Sequence, residues 1–285
     1  MEAVTAALEV GARLGLEVTD PVVLREHGTT VLHLRPSPVV ARVGPATSQD
    51  AVRRELAVTS YLAARGAPVA APYPDPGIST GPHLAGDLVV TLWQHVDHDE
   101  ARPLDGRVAG AALREIHDLL RDHHDETLPH FARLDEVRGI LAALELPREE
   151  AGDLAEMAAL AEAGVAARDV PLQPVHGDAW LGNVLRTPAG PLWSDFERVC
   201  LGPRELDLAA NETAVRSRGR TPADDDFLAG YGHHDPGLLA WVMPLELVPL
   251  TALTYRLAAT RPEFRDIARR RLARTLDGLR QGSKA

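Results

Sequence analysis

The sequence holds a single cysteine, Cys200, in 285 residues. No disulfide can form within the chain, and with nothing that implies export the cytoplasm is the expected compartment. No apolar run approaches the roughly 20 residues that a membrane-spanning helix needs. The opening MEAVTAALEVGARLG has acidic residues and no basic n-region, so it reads as a helix and not as a signal peptide. Internal repeats and low-complexity tails are missing too. So is a basic surplus: 30 Lys and Arg stand against 41 Asp and Glu, a net charge of −11. Nucleic acid or an anionic membrane is therefore not expected as a partner, because both need a basic footprint. Acidity of this size serves solubility, and an acidic cleft would also attract a cationic small molecule.

What is present fits a globular protein: 45% hydrophobic and 25% charged residues, enough for one large domain or two lobes with separate cores. VVLREHGTTVLHLRPSPVVARV alternates apolar positions and breaks at His27-Gly28 and at Pro36-Ser37-Pro38, which predicts consecutive hairpins. SQDAVRRELAVTSYLAARG predicts a helix with Ser48 as N-cap and Gly66 as its stop. A proline-rich connection and the buried strand DLVVTLW follow. From about residue 100 the pattern turns helical. In DGRVAGAALREIHDLL, Val108, Ala112, Ile116 and Leu119 share one face. Helices are expected near 135–146, 148–167, 206–217, 223–231, 238–259 and 263–280. The predicted class is α+β: a small antiparallel sheet lobe over residues 1–92, a hinge at 93–97, and a larger helical lobe over 98–285, with a ligand cleft between them.

The chemistry concentrates in VHGDAWLGNVLRTPAGPLWSDFE. Pro188-Ala189-Gly190 predicts a turn between short strands at Val184–Arg186 and Pro191–Ser194, which would fold Asp195 back beside Asn183. Asp178, on the preceding loop, would reach the same edge. One carboxylate to orient and deprotonate a hydroxyl, with an amide oxygen and a second carboxylate to hold a magnesium ion, suits phosphoryl transfer from a nucleotide.

H-G-D-x-x-x-x-N followed by a hydrophobic strand and D-F resembles the catalytic and metal loops of the aminoglycoside phosphotransferase and choline kinase group, relatives of the protein kinases. The resemblance implies a protein-kinase-like fold, with Asp178 as catalytic base, Asn183 and Asp195 as Mg²⁺ ligands, and His176 organising the loop. LGPRELDLA is similar to the family's G-x-x-x-x-D-L-A segment, which implies that Asp207 starts a helix and hydrogen-bonds the catalytic-loop backbone. PVVARV resembles the strand that carries a basic residue to the nucleotide phosphates. Here that residue is Arg42, where protein kinases have lysine, and Glu55 would be its ion-pair partner. Gly28, Thr29 and Thr30 either place backbone N–H groups near phosphate oxygens or simply turn a hairpin. TLWQH takes the place of the purine-binding hinge; Trp93 either lines that pocket or packs between the lobes, and His95 is a further candidate beside the nucleotide.

Only eleven residues separate Asp195 from Asp207, no A-P-E appears, and Glu197 stands where D-F-G has its glycine. A peptide platform is hard to fit, so the expected acceptor is a small hydroxyl-bearing molecule, with ATP or GTP as donor. A cationic aminoglycoside-like antibiotic is the first reading. An endogenous choline-, sugar- or amino-alcohol-like metabolite is the second, and a nucleotide-binding module without transfer activity the third. Candidate acceptor residues are Glu212, Asp224, Asp225, Asp226, Trp241, Glu246 and Tyr255. The aspartate run would bind substrate ammonium groups or compensate a helix dipole. HDLLRDHHDE faintly suggests a metal-dependent phosphohydrolase, but its histidine–aspartate pairs fall in and just past one helix. A monomer or weak dimer is expected.

Overall fold

The computed structural model describes residues 2–282, and the chain groups into two compact units. Unit one comprises Met1–His123, Leu181–Val199 and Pro222–Gly232; unit two comprises His124–Trp180, Cys200–Thr221 and His233–Ala285.

Unit one is built on an antiparallel sheet in the order β1-β2-β3-β5-β4, with β1 at Val18–His27, β2 at Thr29–Pro36, β3 at Val39–Pro45, β4 at His83–Ala85 and β5 at Leu88–Gln94. Alternation along the strands sorts their side chains between two faces. Leu32 and Leu34 of β2 and Val39, Ala41 and Val43 of β3 form a core with Ala6, Ala7 and Val10 of the helix α1 (Glu2–Arg13). The alternate residues Val31, Val40 and Arg42 line a cavity. Helix α2 (Gln49–Ala63) buries Glu55, Leu56, Val58, Thr59 and Leu62. Ser48 takes the N-cap position of α2 as expected, but its hydroxyl donates back to the Pro45 carbonyl at 2.7 Å and caps no α2 amide.

Helix α3 (Gly106–Leu120) is capped by Asp105, which accepts from the Val108 amide. Of its expected inner face Ala112 and Ile116 are buried, but the face is turned away from Val108. Val108 is 46% exposed, and Ala109, Leu113, Ile116 and Leu120 are buried. Close contact with α7 (Pro222–Tyr231) sets this orientation. A Cβ on Gly106 would lie 1.8 Å from the Ala223 carbonyl oxygen, and one on Gly110 2.1 Å from that of Phe227. Only glycine permits so near an approach.

Unit two is helical: α4 (Leu134–Ala142), α5 (Arg148–Ala166), α6 (Glu205–Arg218), α8 (Pro236–Thr260) and α9 (Arg265–Gly282) accompany a short sheet of β6 (Gln173–Val175) and β9 (Cys200–Gly202). Here a further expectation is corrected. At 25 residues α8 is long and apolar enough to cross a membrane by length and composition, and 56% of its most apolar stretch is buried inside the protein. It is the central helix of the unit, carrying Val242, Leu245, Val248, Ala252 and Tyr255 into a core shared with α4, α5, α6 and α9. Asp235 caps it by accepting from the Gly237 and Leu238 amides, ahead of Pro236 in the first turn.

Candidate functional site

Unit one contains a cavity of about 240 Å³. Val31, Val40 and Leu185 give it apolar walls, and Arg25, Arg42, Glu55, Asn183 and Asp195 its polar ones. The sheet register explains part of the set. Arg25 of β1 lies opposite Val31 of β2, which lies opposite Arg42 of β3, so the three form one row across the strands. Directly paired residues project from the same face.

The two candidate metal ligands reach the cavity through a hairpin of β7 (Val184–Thr187) and β8 (Gly190–Trp193), in which Val184 pairs with Trp193. Its open end is tied by the Ser194 amide and hydroxyl, both donating to the Asn183 carbonyl at 2.9 Å. Trp193 anchors the hairpin: its ring is fully buried and its indole N–H donates to the Ala109 carbonyl at 3.1 Å. Asn183 and Asp195 thus sit at adjacent strand ends. Asp195 takes the left-handed conformation at φ 70°, which costs an L-residue about 1–2 kcal/mol and concentrates at functional positions.

Arg42 is the electrostatic centre. Its Nη1 donates to both Glu55 oxygens at 2.8 and 3.0 Å, and its Nη2 to Asp195 Oδ1 at 2.9 Å and to Glu197 Oε2. Burial pulls the guanidinium toward deprotonation, but Glu55, Asp195 and Glu197 outweigh it and hold Arg42 above its ordinary range. Glu55 is 1% exposed. Burial pushes its carboxyl up to about 7, and the two neighbouring carboxylates add to that rise against the pull of Arg42. Arg25 approaches Asp195 Oδ2 at 3.9 Å. Asp195 and Asn183, both on the cavity wall, offer a carboxylate and an amide oxygen, a hard-oxygen donor set of the kind that binds Mg²⁺. The residues present fit that ion.

The expected hinge residues lie at the same cavity, which Trp93, Gln94, His95 and Val96 help to line. The Trp93 indole donates to Thr91 Oγ1 at 2.8 Å. The His95 ring stacks on His33 with centroids 3.8 Å apart; burial, then His33 and His98, keep its pKa low. Gly28, at φ 71°, turns β1 into β2, Thr29 and Thr30 open β2, and none of the three is among the lining residues.

In unit two, Asp178 follows β6 on a loop whose backbone is held by Asp207 of α6. The His176 and Gly177 amides donate to the two Asp207 oxygens at 2.9 and 2.8 Å. Gly177 has φ 81°, the left-handed bend that glycine supplies without strain. His176 and Asp207 are fully buried and Asp178 is partly exposed.

The acceptor candidates do not share one unit. Asp224, Asp225 and Asp226 open α7 in unit one. Asp224 is fully buried and Asp226 pairs with Arg107 at 3.5 Å. In unit two, Glu246 is buried and accepts from Thr213 at 3.0 Å. Trp241 carries Arg168 over its ring at 5.3 Å. Tyr255 is buried, with its hydroxyl pushed up to about 12 by that burial. Glu212 pairs with Arg220 at 2.7 Å through Oε2, while its Oε1 is buried without a hydrogen-bond partner. In the histidine-rich stretch His117 is buried against the Tyr231 hydroxyl at 2.7 Å, and among the described residues no group of three or more His, Cys, Asp or Glu could hold a metal.

Two features escaped the sequence reading. Arg25 had no signal beyond a basic residue on a strand. Glu197 did have one, an acid where a glycine was expected, but nothing in the sequence joined it to Arg42.

Residues 16–245 match the sequence profile of the phosphotransferase enzyme family APH. No curated protein matches the sequence. Among solved structures, the chain is similar to the amicoumacin kinase hAmiN in complex with AMP-PNP, Ca²⁺ and Ami (12% identity, covering 95% of this chain and 93% of that one, TM-score 0.73). It is also similar to the choline kinase LicA from Streptococcus pneumoniae (17%, 96% and 99%, TM-score 0.67). A third is the aminoglycoside phosphotransferase APH(3'')-Id from Streptomyces rimosus ATCC10970 (21%, 87% and 98%, TM-score 0.59). At these identities the likeness establishes a shared kinase-like fold.

Proposed function

The chain belongs to the APH phosphotransferase family, and from that premise we propose that it moves the terminal phosphoryl group of ATP or GTP to a hydroxyl of a small molecule. The observation that carries this reading is the cavity of unit one, where Asn183 and Asp195 share a wall with the Arg42–Glu55 pair and with apolar Val31, Val40 and Leu185. Apolar walls suit a purine, arginine suits phosphates, and the two oxygen donors suit a hard cation.

In this reading Val31, Val40 and Leu185 take the base beside the backbone of residues 94–96. Glu55 orients Arg42, and Arg42 steadies the donor phosphates. Asn183 and Asp195 would hold Mg²⁺, which would supply neutralisation of the charge that develops on the transferring phosphate. Asp178 orients the acceptor hydroxyl and accepts its proton, while Asp207 and His176 fix the loop that carries it. Most of the rate then comes from positioning and charge stabilisation.

For the acceptor, we assign a cationic hydroxylated molecule of the aminoglycoside-like kind, whose modification would confer resistance. The net charge of −11 and the unpartnered buried oxygen of Glu212 favour an ammonium group. A choline-, sugar- or amino-alcohol-like metabolite is the second reading, favoured by the likeness to a choline kinase. The test is incubation with Mg²⁺ and either ATP or GTP against aminoglycosides, choline, sugars and amino alcohols, with products read by mass spectrometry. A mass gain of one phosphate on a single acceptor class is expected. Tight nucleotide binding with no acceptor modified would leave a binding module instead of an enzyme.

A further inference from the structure

Arg25 has no part in the reading above, yet it lines the same cavity as Asn183 and Asp195. The register sets it on the same face as Arg42, with Val31 between them. The two arginines differ in what they have left to give. Both terminal nitrogens of Arg42 already hold carboxylates, Nη1 the two Glu55 oxygens and Nη2 Asp195 and Glu197, so Arg42 steadies the phosphates through its charge and not through a free donor. Arg25 has a side chain 52% exposed, and its one charged partner among the described residues, Asp195 Oδ2, lies at 3.9 Å, beyond hydrogen-bond length. The turn of this hairpin has a single glycine, Gly28, and residues 28–30 stay off the cavity wall. On the β1 side of the wall the basic group is the Arg25 guanidinium.

We propose that Arg25 is a phosphate-binding residue for the donor, closing its guanidinium on the outer phosphates once a cation engages Asp195. The planar fork of arginine matches phosphate oxygens in pairs, and such charge-assisted hydrogen bonds are the strong ones. A side chain held loosely by one carboxylate needs only that carboxylate's charge to be taken up elsewhere before it turns to a phosphate. This inference rests on the cavity taking a nucleoside triphosphate.

The experiment is a calorimetric series of ATP, ADP, AMP and adenosine, each with Mg²⁺, on the full chain and on Arg25→Ala, Arg25→Gln and Arg25→Lys. Loss of one charge-assisted hydrogen bond predicts about tenfold weaker ATP and ADP binding in the Ala and Gln variants. AMP and adenosine should bind unchanged, and Arg25→Lys should recover part of the loss. The KM for the donor should rise with the same pattern. Wild-type affinity for ATP in both neutral variants would overturn the assignment. Equal weakening of all four ligands would also overturn it, because that marks a residue that only shapes the cavity. A wild-type protein that binds neither these four nor GTP, GDP, GMP and guanosine would sink the donor site itself, a different failure; where only the guanine ligands bind, the variants are read on that series with the same criteria.

Discussion

Asp207 on α6 receives the backbone amide of Gly177 at 2.8 Å, and its second oxygen receives that of His176. A fully buried carboxylate thereby serves as acceptor for two consecutive peptide groups directly before Asp178. Replacing it by Ala would strand both amides and should destabilise the protein by about 2–4 kcal/mol in urea unfolding. Asp207→Asn keeps one acceptor and should fall between. Wild-type stability in Asp207→Ala would show that the loop finds other partners.

Asp178→Ala should reduce turnover by about 10²–10⁴-fold, the usual contribution of a positioned base. Nucleotide affinity should stay near wild type, since the proposed donor cavity is lined by other residues. Full turnover would remove Asp178 from the chemistry.

At Asp195 the proposed ligand role and the backbone preference pull in opposite directions. With φ at 70°, Asp195→Gly relieves strain of about 1–2 kcal/mol while deleting the carboxylate. The expected result is a melting temperature that does not fall, together with nucleotide binding that no longer responds to Mg²⁺. Retained Mg²⁺ dependence in calorimetry would place the ion elsewhere.

Glu55 should give stability a pH dependence of definite sign. Burial raises its carboxyl from an ordinary 4.5 to about 7, so the folded state holds a proton that the unfolded state releases earlier. Its contribution is full below pH 4.5 and is lost as pH rises through about 7. Melting temperatures across that range should decline more in the wild type than in Glu55→Gln, which cannot titrate. Parallel curves would mean that Glu55 stays ionised throughout.

Gly110→Ala places a Cβ 2.1 Å from the Phe227 carbonyl oxygen and 2.6 Å from the Tyr231 amide. Backbone atoms cannot yield as a side-chain end can, so α3 and α7 must separate. A loss of about 3 kcal/mol or more is expected, at the upper end for overpacking. Gly139→Ala, which meets nothing within 4 Å in α4, is the control, and helix propensity alone predicts a gain of about 0.5–1 kcal/mol there.

Much of this architecture could be read before any coordinates. The hairpin of LRTPAGPLW came within a residue of its bounds because proline and glycine fix a turn locally. What the sequence hid depends on distant partners. The inner face of α3 follows glycine contacts with α7, more than 100 residues on. The full apolar length of α8 was masked by Pro244, Pro249 and Glu246, which interrupt the run without breaking the helix. Arginine in place of the expected lysine at 42 reflects the whole chain, whose one lysine is Lys284. The multiple pairing of Arg42 uses that choice: a guanidinium can grip several carboxylates at once where an ammonium acts as a point charge.

The two compact units are interleaved along the chain: unit one is assembled from three stretches, the last ending at Gly232. No single cut can therefore release either unit whole, and a protease nick or truncation that spares the sheet would still cost it the hairpin or α7. During synthesis α3 must wait for α7 to leave the ribosome before its glycine face is covered. Exchanging acceptor preference with a relative by swapping one contiguous half would fail for the same reason; grafts would have to follow the interleaved segments.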